Sequence, residues 1–75
     1  MRLITQRMSA YQIQHFDEKD VLLKSETVFM KGLGGAKNSA TMTAPLHTVR
    51  TVILDLLDRP LLSKESGQWT EHPIT

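Results

Sequence analysis

Pro45-Leu46-His47-Thr48-Val49-Arg50-Thr51-Val52-Ile53-Leu54-Asp55-Leu56-Leu57-Asp58-Arg59-Pro60 is the stretch on which the reading of the fold turns. Its spacing predicts an amphipathic helix over residues 45–59. At about 100° per residue, Leu46, Val49, Val52, Ile53, Leu56 and Leu57 fall within an arc of roughly 140°, with His47, Thr48, Thr51, Asp55, Asp58 and Arg59 opposite. Pro45 suits a first helical turn and Thr43 suits an N-cap, while Pro60 cannot continue a helix. Leu54 lies off the apolar arc, beyond Arg50, and is the residue expected to touch a partner.

A chain of 75 residues makes one domain and buries only about 60–65% of its unfolded surface, so its stability is marginal. There is no cysteine, hence no disulfide and no thiolate metal site to supplement the core. Self-association is one remaining way to add buried area, and a homodimer is expected on that ground. The longest apolar runs are three residues, such as Val52-Ile53-Leu54, too short for a membrane span or a secretory signal. A soluble cytoplasmic protein is the default.

The net charge of +1 is unevenly spread: residues 1–50 are net basic and residues 51–75 net acidic. From Thr27 to Leu54 there are Lys31, Lys37 and Arg50 and not one Asp or Glu. A positive field of this kind suits phosphate or an acidic protein surface, although three cations would neutralise few phosphates.

Upstream, Ser9 to Phe16 alternates, with Tyr11, Ile13 and His15 on one side, which predicts a strand; a helix starting near Thr5 is the competing reading. Asp17-Glu18-Lys19-Asp20 is a turn or a helix start. Val21 to Met30 reads as a strand that completes an N-terminal hairpin, with a helix capped by Asp17 as the alternative. Residues 32–43 hold three glycines in four positions, followed by small polar side chains, and are expected to form a flexible loop. Leu61–Lys64 and Gln68–Glu71 flank Glu65-Ser66-Gly67 and predict a closing hairpin over about 61–72, with Trp69 packed on Leu62 or on the helix. No internal repeat is evident.

Chemistry-bearing patterns are sparse. Gly32-x-Gly-Gly-x-Lys37-x-Ser39 lacks the spacing of a phosphate-binding loop. His15, His47 and His72 have no close partner at metal-ligand spacing. Asp17, Glu18 and Asp20, like Asp55 and Asp58, read as solvated surface. No catalytic, cofactor or metal residue is assigned, and the chain is not expected to be an enzyme.

Residues 48–57 followed by Leu61-Leu62-Ser63-Lys64-Glu65-Ser66-Gly67-Gln68-Trp69-Thr70 resemble the end of a winged-helix domain: recognition helix, strand, glycine turn, strand. The resemblance covers about a third of the chain and stops at Gly34–Thr43. It implies a mainly helical, DNA-binding transcriptional regulator in which Thr48, Arg50 and Thr51 face the duplex and Lys64 sits on the wing.

The reading carried forward is a small α+β domain: N-terminal hairpin, loop, one amphipathic helix on the sheet, closing hairpin. Its expected function is a non-enzymatic regulatory or inhibitory module that docks on a larger protein and pairs with itself, the winged-helix regulator being the alternative. The expected partner surface is Lys31, Lys37 and Asn38 of the loop together with His47, Arg50 and Leu54.

Overall fold

The computed structural model describes residues 8–72. Expectations placed on residues 1–7 and 73–75 lie outside it; the competing helix read from near Thr5 through His15 is overturned over Ser9–Phe16, which is a strand. The order of elements is β1 (Ser9–Phe16), β2 (Leu22–Met30), α1 (Leu33–Thr43), β3 (Arg50–Leu54), β4 (Pro60–Glu65) and β5 (Gln68–Glu71). The strands form one antiparallel sheet in the order β2-β1-β3-β4-β5, and α1 packs on β2, β1 and β3. The domain is thus α+β, with a hairpin at each end and one helix on the sheet. Because β1 is antiparallel to both β2 and β3, those two run parallel on either side of it, and α1 makes the crossover that carries the chain from one to the other.

The helix is not where its sequence signal lies. Residues 45–59 form a turn, β3 and a loop. Leu46, Val49, Leu56 and Leu57, four members of the predicted stripe, are 49% or more exposed. Val49, Thr51, Val52 and Ile53 are β-branched and favour a pleated strand. β3 lies at the centre of the sheet and its side chains are buried on both faces, Thr51, Val52, Ile53 and Leu54 alike, so no alternation marks it as a strand. Leu54, expected to meet a partner, is among these. The winged-helix resemblance thereby loses its recognition helix, and the closing hairpin it treated as a wing belongs to the sheet.

The loop expected at residues 32–43 is α1. Leu-Gly-Gly-Ala-Lys-Asn-Ser-Ala-Thr-Met-Thr is a poor helix on propensity, with two glycines, two threonines and no side-chain cap at Gly32. Tertiary packing holds it. Ala36 and Ala40, one turn apart, are 0% and 1% exposed and let the helix backbone settle close to Tyr11, Ile13 and Ile53. Gly34 is exposed, and a Cβ there meets nothing within 4 Å. Gly34→Ala is therefore expected to raise unfolding free energy by about 0.5–1 kcal/mol in urea titrations.

The two long hairpins turn in the same way. Asp17-Glu18-Lys19-Asp20-Val21 and Asp55-Leu56-Leu57-Asp58-Arg59 both open on an Asp whose Oδ1 accepts from the amides two and four residues on, at 2.8–3.0 Å. In each the fourth residue is an Asp at positive φ, 65° and 64°, where Asp is tolerated better than most side chains. In each the first amide donates to the fifth carbonyl at 3.0 Å. This repeated Asp-x-x-Asp-x turn escaped the sequence reading. The third turn places Ser66 and Gly67 both at positive φ, the pattern of a two-residue hairpin.

Candidate functional site: the cleft between the helix and the closing hairpin

The crossover from α1 to β3 leaves the β4–β5 side of the sheet without a helical cover. A cleft of about 370 Å³ opens there, walled by Ala40 and Thr41 of the helix, by the segment Ala44–Val49, and by Lys64, Gly67 and Trp69 of the closing hairpin, with Thr51 also lining it. Lys64 reaches across: its Nζ lies 3.3 Å from Thr41 Oγ1 and 5.6 Å from the centre of the Trp69 ring.

Pro45 to Thr48 is a tight turn in which the amide and hydroxyl of Thr48 both donate to the Pro45 carbonyl, at 3.2 and 2.7 Å. Val49 then donates to the Phe16 carbonyl at 2.9 Å, which pins the segment to the end of β1. His47 sits at φ 76°, a left-handed conformation that costs an L-residue about 1 kcal/mol or more. The turn thrusts Leu46 into solvent, 82% exposed. A second recess, of about 300 Å³, lies on the far side of the same turn, between His47, Val49 and Asp17-Glu18-Lys19.

Beneath the end of α1 is a polar cluster on the helix face of the sheet. His15 is fully buried; its Nδ1 lies 2.8 Å from Thr51 Oγ1, and its Nε2 is enclosed without a partner. A bare lone pair is cheaper to bury unpaired than an N–H, so the arrangement favours a neutral ring with the proton on Nδ1. Burial pushes the His15 pKa below its ordinary 6.5; Glu26 opposes that shift and Lys24 adds to it. Lys24 and Glu26 in turn hold the last helical turn, through the Thr43 carbonyl at 3.4 Å and the Thr43 hydroxyl at 2.7 Å.

The lowered pKa means that the unfolded chain binds the His15 proton more readily than the folded one. His15 thus contributes stability above its unfolded pKa, and that contribution is lost as pH falls from about 6.5 through the lower folded value. Unfolding midpoints in urea are expected to drop between pH 7.5 and pH 5.5, and His15→Gln to flatten that slope. Asp55, whose pKa is lowered by hydrogen bonds from Arg59 and Leu57, acts only in a more acidic window, as pH falls from its ordinary 3.8.

The residues expected to form a partner surface are scattered. Lys31 is exposed at the β2–α1 junction, Asn38 is exposed on the helix, and Lys37 lies half-buried one turn before Thr41. Arg50 is engaged within the fold: it pairs with Asp20 and its guanidinium stands 4.3 Å above the Phe16 ring. Of the six, His47 alone lines the cleft. Leu46, Thr41, Lys64 and Trp69 were not singled out as a surface, because a long-range crossover brings them together.

On the opposite face of the sheet, Ser63 Oγ lies 2.8 Å from His72 Nε2, in an open recess that also contains Asp20, Arg50 and Glu65. Among the described residues no carboxylate hydrogen-bonds His72. No helix among the described residues is long and apolar enough to cross a membrane. No family model, curated protein or solved structure matches the chain.

Proposed function

We propose that this chain is a non-catalytic regulatory module that docks on a larger protein through the Pro45–Thr48 turn, and that it pairs with a second copy of itself. The observation that carries the reading is the turn itself. A leucine held 82% in water, on a backbone strained at His47 and flanked by two recesses, does nothing for the fold. Strain of this kind persists where the surrounding structure enforces it and gathers at working surfaces. Leu46 has the form of an anchor side chain: apolar, projecting, and beside a hollow that a partner's surface can fill. Docking there regulates by occlusion, covering the partner surface on which the module sits.

Self-pairing draws on the remaining exposed apolar groups, chiefly Phe29, 64% exposed on the outer strand β2. The test is affinity capture with the immobilised chain, comparing wild type with Leu46→Asp, beside sedimentation over a range of concentrations. Leu46→Asp is expected to keep the wild-type circular dichroism and unfolding midpoint, as surface changes generally do, and to lose at least about tenfold in partner recovery. Equal recovery by both proteins would refute docking through the turn. A sedimentation coefficient that stays monomeric at the highest concentration would refute self-pairing.

A further inference from the structure

We infer that the cleft between α1 and the closing hairpin receives an acidic peptide segment of the partner, with one carboxylate on Lys64 and a neighbouring apolar side chain on Leu46 and Val49. The inference rests on the reading of the chain as a protein-docking module and names the chemistry its site selects.

The first support is charge. Lys24, Arg50 and Arg59 each have a carboxylate within the fold, whereas Lys19, Lys31, Lys37 and Lys64 have none among the described residues, and of these four Lys64 alone lines the cleft. Its ammonium rests against a threonine hydroxyl and an indole face. No Asp or Glu lines the cleft, although Asp17 and Glu18 line the recess on the other side of the turn and Glu71 stands two residues beyond Trp69. An unpaired ammonium in a partly enclosed, carboxylate-free hollow attracts an anion more strongly than one in open water.

The second support is hydrogen-bond valence. Thr41 Oγ1 accepts from Lys64, which leaves its own proton to donate. A carboxylate at this place meets an ammonium and a hydroxyl at once. The third support is the apolar rim: Leu46 and Val49 are 82% and 49% exposed, beside the half-buried Trp69. Carboxylate and apolar side chain together describe a peptide rather than a nucleic acid. A phosphodiester chain draws its affinity from several cations in register, whereas this cleft offers one lysine.

Trp69 is the only tryptophan of the chain and stands in the cleft, so its emission reports occupancy directly. The experiment titrates the full chain with an end-blocked octapeptide of alternating Glu and Leu, with the same peptide carrying Gln in place of Glu, and with a single-stranded oligonucleotide. The acidic peptide is expected to give a saturable shift below about 1 mM, and the Gln peptide and the Lys64→Glu variant to bind at least about tenfold more weakly. Lys64→Arg, which keeps the charge, is expected to retain binding and guards against a variant that merely misfolds. A response equal for both peptides, no saturable response, or tighter binding of the oligonucleotide would overturn the inference. Partner recovery that survives Lys64→Glu but is lost in Leu46→Asp would end the acidic cleft and leave the docking surface standing. Recovery unchanged in both variants would remove the docking surface itself.

Discussion

Ile53→Ala is expected to lower unfolding free energy by about 2–5 kcal/mol, a large share of what a small domain has. Ile53 is 0% exposed, faces Ile13 on β1 and Leu62 on β4, and lies under Ala36 and Ala40 of the helix. Truncation removes three carbons from a site closed on every side, and the neighbouring strands cannot collapse into the space without breaking their ladders. The informative control is Leu56→Ala. On an amphipathic helix Ile53 and Leu56 share a face and suffer alike; here Leu56 is 60% exposed in a turn and its loss is expected to cost no more than about 0.5 kcal/mol. Urea titrations followed by circular dichroism measure both. Equal losses would restore the helix.

Ala40→Pro is expected to cost about 3 kcal/mol or more and to leave much of the protein unfolded at ambient temperature. Ala40 lies within α1, so a proline there removes the amide that bonds toward Ala36 and drives its ring against that turn. The same residue is 1% exposed, so the added ring atoms also meet the sheet. In a flexible loop the substitution would be harmless or mildly stabilising, because it restricts the unfolded chain. A midpoint equal to wild type would therefore return residues 33–43 to a loop.

Both hairpins and the α+β class were legible in the sequence because each rests on local chemistry. Tyr11, Ile13 and His15 alternate with Gln12, Gln14 and Phe16, and Ser66-Gly67 supplies the two positive φ angles of a tight turn. The centre was not legible in the same way. A strand buried on both faces shows an unbroken apolar run, and Val49 to Leu57 satisfies helical spacing as well as it satisfies β3 followed by a turn. The deciding clue was comparative: Asp55-x-x-Asp58 repeats Asp17-x-x-Asp20, and a turn recognised at one place can be carried to the other.

The helix was hidden for the opposite reason. Its glycines and threonines argue against it locally, and only Ala36 and Ala40 lying against Tyr11, Ile13 and Ile53 make it stable. Of the cleft, His47 was legible as a candidate, whereas Lys64, Thr41 and Trp69 required the crossover that places helix and hairpin side by side. Arg50 looked free because its partner, Asp20, is distant in sequence.

The outer strand β2 turns Lys24 and Glu26 toward the helix and ties both to Thr43, so half of an otherwise bare β-ribbon border carries inward charge anchored to another element. A chain adding alongside that half would have to displace these anchors, which is how natural sheets discourage open-ended growth. Thr27 to Met30 of this strand, and the short β5 at the other border, carry no such anchor. With half of one border so guarded and the other only 4 residues long, the sheet offers little template for the fibrous stacking to which small β-rich proteins are prone.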